Sequence, residues 1–211
     1  MKPTTHVLLV TDMSGSMYPL AGDVRGGYNA YLDGLVQDDG VKYRVTSAVF
    51  NHGYQLLCTA VKAAKAPRLD EENYRPGGNT ALLDAIGKTI TDFEARVAAL
   101  DDSERVLLVV QTDGMENASR EHTGDAIRQM IGDREASGKW SCIYLGTGPA
   151  AWGRSRRLGF AAGQSVDLAD DPTTTRASYA GLTAATRSYS RGVSGKAATE
   201  IIADATGGDL S

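Results

Sequence analysis

The chain has 211 residues, 42% hydrophobic and 23% charged, with a formal net charge of −4 at pH 7. That length suits one domain with a full-sized core, and the composition is that of an ordinary soluble globular protein. The acidic balance argues against a nucleic-acid or anionic-membrane partner, and no apolar run approaches the ~20 residues that a membrane span needs. Met1-Lys2-Pro3 leads straight into a strand pattern, without the apolar region of a signal peptide. Cys58 and Cys142, the only cysteines, lie in strand-like runs and read as reduced core thiols, with a disulfide as the alternative. Together these features favour the cytoplasm.

His6 to Thr11 is a continuous apolar strand, as expected when both faces are covered. Leu20 to Val36 reads as a helix, with Val24, Tyr28, Tyr31, Leu32 and Leu35 at helical spacing. Tyr43 to Phe50 alternates, and after Asn51-His52-Gly53 a second strand, Tyr54 to Ala60, completes a hairpin. Thr80 to Leu100 reads as one long helix, with Leu83, Ile86, Ile90, Phe93 and Val97 on one face. Glu104 to Gln111 is the next buried strand, and Gly124 to Ser137 a helix with Ile127, Met130 and Ile131 inward. Trp140 to Leu145 is a strand, Ala150 to Leu158 a short helix, and Ser165 to Leu168 a short strand. Thr173 to Tyr189 is a last long helix started by Asp171-Pro172. Lys196 to Ala205 suggests a weak helical turn or two, and Thr206 to Ser211 a frayed end. Residues 1–190 therefore read as a single domain and 191–211 as a C-terminal extension, partly helical or flexible. The alternation of strands and helices gives an α/β, doubly wound, mostly parallel sheet with one antiparallel edge strand and helices on both faces. Ligands of such sheets bind outside the carboxyl ends of the strands, where strand order reverses.

Three segments carry oxygen donors suited to a hard cation. Asp12-Met13-Ser14-Gly15-Ser16 follows the first strand and offers one carboxylate and two hydroxyls. Gly77-Gly78-Asn79-Thr80 offers a third hydroxyl on a loop, and Thr112-Asp113-Gly114 a second carboxylate after the strand Val106 to Val110. Taken singly, Asp12 and Asp113 would be ordinary helix caps. Taken together, two neighbouring carboxylates repel unless something neutralises them, which a divalent cation does.

The set Asp12, Ser14, Ser16, Thr80 and Asp113 resembles the metal-ion-dependent adhesion site of the von Willebrand factor A (vWA) domain family, whose motif is D-x-S-x-S, then a Thr, then an Asp. The resemblance covers roughly residues 5 to 190, with no member of the motif missing. Phe50-Asn51, Tyr74 to Ala85 and Glu116 to Glu121 are similar to phrases of small stand-alone bacterial and phage vWA proteins. Met115 departs from those relatives, which often carry an acidic residue there. The resemblance implies a Rossmann-like fold in which the first strand neighbours the one ending at Asp113. It implies Mg²⁺, with Mn²⁺ or Ca²⁺ as substitutes, held directly by Ser14, Ser16 and Thr80 and partly through water by Asp12 and Asp113. One open coordination position then docks an Asp or Glu of a partner protein. Gly15, Gly77 and Gly78 are expected to let the backbone approach the cation closely.

Other chemistry is weaker. Ser14 or Ser16 as a nucleophile needs a base, and His6, His52 and His122 form no readable Ser-His-Asp pattern. An aspartyl-phosphate role for Asp12 wants a second Asp where Ser14 stands. Gly146-Thr147-Gly148 is a lone turn and not a phosphate loop, Arg154, Arg156 and Arg157 read as a solvated helix face, and His52 as a turn residue. The resulting expectation is a cation-dependent protein-binding module and not an enzyme. A cation-assisted hydrolase or phosphotransferase using the same pocket is the alternative.

Overall fold

The apolar run after Pro3 forms β1 (Thr4–Asp12), buried along its whole length. The structure is a computed structural model that describes residues 2–147, 151–160, 163–168, 171–207 and 209–210. After β1 come a 3₁₀ turn (Gly15–Leu20), α1 (Ala21–Val36), β2 (Lys42–Phe50), β3 (Tyr54–Lys62), α2 (Leu82–Arg96), β4 (Glu104–Thr112) and α3 (Gly124–Ala136). The chain continues through β5 (Trp140–Thr147), α4 (Ala151–Arg157), β6 (Ser165–Leu168), α5 (Pro172–Ser190), α6 (Gly195–Thr206) and β7 (Asp209–Leu210).

Among the described residues the strands form one sheet in the order β3-β2-β1-β4-β5-β6-β7. Pairing is parallel from β2 through β6, and β3 adds to β2 as an antiparallel edge strand. Strand order reverses beside β1, which has β2 on one side and β4 on the other. Residues of alternate parity in the central strands feed two cores. Val7, Leu9, Leu107 and Val109 pack with Val24, Tyr28, Leu32 and Leu182 from α1 and α5. Leu8, Val10, Leu108 and Val110 pack with Ile86, Ile90, Phe93 and Ile127 from α2 and α3. Each fully buried Leu, Ile or Phe here contributes about 1.5–3 kcal/mol. Burial on both faces is why these strands read as unbroken apolar runs.

The structure departs from the sequence expectations at three places. The helix expected over Thr80–Leu100 begins only at Leu82 and ends at Arg96. Thr80 is held out of it because its carbonyl accepts from Asn117 N and Ala118 N (3.0 and 3.2 Å). Val97 leaves the helix at φ −124°, ψ 86° yet still packs on the core. Lys196–Ala205, expected as a turn or two, lies within α6, which runs Gly195–Thr206 with Ser194 as its N-cap. Its packing supplies the reason: Gly181 of α5 lets Ile202 and Ala205 come close, so that an added β-carbon would lie 3.0 Å from each. Within the end expected to fray, Asp209 and Leu210 pair antiparallel with Asp167 and Val166, which gives the far edge a second antiparallel strand. Gly208 and Ser211 of that end lie outside the described residues, as do Gly148 of the short turn and Ala150 before α4. Cys58 and Cys142 are both free. No helix among the described residues is long and apolar enough to cross a membrane.

Helices α1 and α5 meet through glycine. A β-carbon on Gly27 would lie 2.2 Å from the Tyr179 ring, and one on Gly34 2.5 Å from Thr183 Cγ2. Tyr179 is buried and donates its hydroxyl to Gln111 Oε1, so the ring has no route aside. Gly27→Ala is expected to destabilise the fold by about 2 kcal/mol through overpacking. Thermal denaturation followed by circular dichroism checks this, and an unchanged midpoint would show that the two helices separate without strain.

Candidate metal centre

The carboxyl ends of β1 and β4 lie side by side because the strands pair in parallel register, Val10 with Val110 and Thr11 with Gln111. The chain turns sharply after Asp12. Asp12 Oδ1 accepts from Ser14 N (2.7 Å), which brings the next two hydroxyls back toward the strand end. Ser14 Oγ and Ser16 Oγ stand 3.2 Å apart, and Ser16 Oγ donates to Asp113 Oδ1 at 2.7 Å. Thr80 Oγ1 approaches from the third segment. A β-carbon on Gly114 would sit 2.8 Å from Thr80 Oγ1 and 3.2 Å from Asp12 Oδ2, so both oxygens press on that glycine. All five residues singled out in the sequence are thus brought together. Asp12, Ser14 and Thr80 are buried, Asp113 is half-buried and Ser16 is exposed.

Neither Asp12 nor Asp113 acts as a helix cap, and Ser14 holds the N-cap position of the 3₁₀ turn without a side-chain bond. Thr123 caps α3, ten residues after Asp113, and the N-cap position of α2 is Ala81, without a side-chain bond. Thr80 N instead donates to Asn117 Oδ1 at 2.9 Å.

The glycines of these loops differ in conformation and in the room around them. Gly78 holds φ +77°, the left-handed region, and accepts from Gly15 N at 3.1 Å. A β-carbon on Gly77 would meet nothing within 4 Å, and one on Gly15 would make only ordinary contact. Close approach occurs at Gly114, and at Gly78 beneath the His52 ring.

Asp12 is fully buried, and among the described residues no Lys, Arg or His forms an ion pair with it. Burial pushes its carboxyl up to about 6. Hydrogen bonds from Thr112 and Ser14 pull the other way, and the Asp113 charge adds to the rise. The donor set therefore fits a hard divalent cation: three hydroxyls and two carboxylates converge, and one carboxylate is buried without a positive neighbour. Among the described residues no group of three or more His, Cys, Asp or Glu side chains converges to hold a metal ion, so the hydroxyls are needed to complete the set.

Several supporting residues escaped the sequence reading. Thr112 Oγ1 donates to Asp12 Oδ2 at 2.5 Å and accepts from Gly114 N at 3.0 Å. The Tyr74 hydroxyl, fully buried, donates to the Asp12 carbonyl at 2.7 Å. Asn51 ties the hairpin to the Thr80 loop, donating its amide to Gly77 O (2.9 Å) while its carbonyl accepts from Ala81 N (2.7 Å). His52, expected only as a turn residue, lies over Gly78: a β-carbon there would be 2.3 Å from its Nδ1. The one signal for these residues was that Asn51 and Tyr74 fall inside the phrases quoted for the resemblance.

The loop after β4 folds over the start of α2. Glu116 Oε2 accepts from Leu83 N and Ser119 Oγ from Asp84 N, both at 3.1 Å. In return the buried Asp84 carboxylate accepts from the backbone N–H groups of Arg120, Glu121 and His122 at 2.8–3.0 Å. Burial alone would raise the Asp84 carboxyl, but these donors outweigh it and hold it below 3.8. Asp84→Ala orphans three N–H groups and is expected to cost about 3 kcal/mol in denaturant unfolding. Because the folded value is depressed, this contribution is complete above the unfolded value near 3.8 and is lost as pH falls through the folded one. The wild-type advantage over the variant should thus be flat near neutrality and shrink in acid. A pH-independent difference would assign it to packing.

No family model and no curated protein matches the chain. Solved structures do, and the matching structures include vWA domains. The vWF domain of the type V pili tip protein Mfa5 from Porphyromonas gingivalis aligns at a TM-score of 0.65 and 10% identity, over 89% of this chain and 96% of that one. A von Willebrand factor type A protein from Catenulispora acidiphila aligns at 0.53 and 18%, over 87% and 42%. Proximal thread matrix protein 1 from the mussel byssus, with a zinc-occupied MIDAS motif (the metal-ion-dependent adhesion site), aligns at 0.52 and 12%, over 81% and 42%. The chain spans under half the length of the last two. At these identities the likeness is one of fold.

Proposed function

We propose that this chain is a divalent-cation-dependent protein-binding module that docks an Asp or Glu side chain of a partner protein. The observation that carries the reading is the meeting of Asp12, Ser14, Ser16 and Asp113 through hydrogen bonds, with Thr80 Oγ1 and Asp12 against Gly114. Ser14, Ser16 and Thr80 would hold the ion directly, and Asp12 and Asp113 directly or through water. The ion, Mg²⁺ with Mn²⁺ or Ca²⁺ as substitutes, supplies a positive centre for the partner's carboxylate. Thr112 and Tyr74 hold Asp12 in place from behind. A vWA-fold neighbour with a zinc-occupied MIDAS supports a metal at this position of the fold. A cytoplasmic location goes with the reading, and the two free thiols support it.

The same reading includes no turnover. Proton transfer needs a positioned base. His6 bonds Glu104, His122 lies against Asp84, and His52 makes no hydrogen bond among the described residues. Among the described residues no imidazole forms a hydrogen bond with Ser14 or Ser16, and the carboxylate that Ser16 meets, Asp113, is one of the residues that would hold the cation.

Calorimetry with Mg²⁺ is expected to find one site per chain, weakened about tenfold or more in Asp12→Ala and in Thr80→Val. Both variants should keep the fold. Saturating metal at 100 times Kd should stabilise wild type by about 2.7 kcal/mol. Equal Mg²⁺ binding by wild type and Asp12→Ala would sink the metal assignment. Hydrolysis of phosphate, ester, peptide or nucleotide substrates that vanished in both Asp12→Ala and Ser14→Ala would replace the binding module with the hydrolase.

A further inference from the structure

Among the described residues, two large apolar side chains stand far more exposed than the rest: Tyr18 at 75% and Met115 at 67%, with the next, Val36, at 44%. A lone exposed apolar side chain needs no explanation. These two share a location. Tyr18 lies two residues after Ser16 and Met115 two after Asp113, and the Ser16–Asp113 hydrogen bond joins the two segments.

Neither is exposed through looseness of its backbone. Met17 and Leu20 on either side of Tyr18 are buried, and Pro19 stiffens the same 3₁₀ turn. Gly114 is pinned through Thr112 Oγ1, and Glu116 is bonded to Leu83 N, so Met115 is held outward between two anchored neighbours. Tyr18 is also one wall of a cleft of about 550 Å³ lined by Ala21, Arg25, Tyr74, Arg75 and Pro76. Tyr74 joins that cleft to the metal centre through its bond to the Asp12 carbonyl. In a chain of net charge −4 this cleft is lined by two arginines against one carboxylate, Glu71, whose contact with Arg25 is long, at 3.5 Å.

We propose that Tyr18 and Met115 form an apolar clamp beside the metal centre, selecting acidic partner segments in which the docking Asp or Glu has an apolar neighbour. The proposal rests on the metal-dependent docking reading above. Its physical content is water exclusion. A carboxylate–cation contact strengthens as solvent is removed from around it, and a ring of apolar contacts supplies that removal. Tyr and Met are among the residues enriched at interface cores. The apolar neighbour enters the cleft beside Tyr18, and Arg25 and Arg75 favour an acidic segment over a basic one.

The test uses a displayed peptide library with a central fixed Asp and randomised flanks, selected on the full chain with Mg²⁺ and with EDTA. Peptides enriched only with Mg²⁺ are expected to carry an aromatic or aliphatic residue beside the Asp. A synthetic consensus peptide should bind Tyr18→Ser and Met115→Ser each roughly tenfold more weakly. Mg²⁺ binding by calorimetry and the melting temperature should match wild type. Mg²⁺-dependent peptides without an apolar preference, or unchanged affinity in both variants, would overturn the clamp and leave metal-dependent docking standing. A fall in Mg²⁺ affinity in either variant would overturn it too, by placing that residue in the metal site. Peptides that persist in EDTA, or no enrichment at all, would overturn docking and clamp together.

Discussion

Parallel pairing of β1 with β4 is the constraint from which the site follows, because it sets side by side two strand ends a hundred residues apart in sequence. The register puts Thr11 opposite Gln111, so that Asp12 stands beside Thr112 and the Thr112 hydroxyl reaches the Asp12 carboxylate. Strand order reverses at this place, leaving room beyond the strand ends for two turns that bring Ser16 within hydrogen-bond reach of both Ser14 and Asp113. The same burial that orders Asp12 makes its charge unfavourable, and Asp113 adds to that penalty. In the proposed function a divalent cation would relieve that penalty.

Thr80 belongs to neither strand, and its position depends on a second interlock. The unpaired N–H groups at the start of α2 are met by Glu116 and Ser119, Thr80 N is met by Asn117, and Asp84 answers with its own carboxylate to the loop. The loop that carries Asp113 and the helix that follows Thr80 therefore hold each other. Asn51 fastens the Thr80 loop to the hairpin tip. Three separate segments become one surface through hydrogen bonds between side chains and backbone. Tyr18 and Met115 stay exposed on that surface because the residues around them are anchored and they are not.

The likeness to vWA domains at 10–18% identity shows how little sequence the sheet itself requires. Buried parallel strands need apolar residues on both faces, and many sequences provide them. What a chain does is set by the few side chains at the strand ends.

The order of strands and helices, the buried strands and the donors after β1 and β4 were legible in the sequence, because each rests on local patterning: unbroken apolar runs, helical spacing, and donors soon after a strand, while Thr80 joined them only through the resemblance. The hairpin and the α5 start at Asp171 were legible for the same reason. What only the tertiary structure decided was whatever depends on contacts between distant segments. The helix expected from Thr80 starts two residues later because Asn117 and Ala118 claim the Thr80 carbonyl. The C-terminal stretch forms a full helix and a short strand because α5 and β6 give it surfaces to bury against. Space demands glycine at 114 and 78 but not at 77, since only the folded chain brings Thr80 and Asp12 against Gly114 and His52 against Gly78. Thr112, Tyr74 and Asn51 were invisible as supports of the site because a hydroxyl or an amide reveals its role only through the partner it meets, and here each partner lies 26 to 100 residues away.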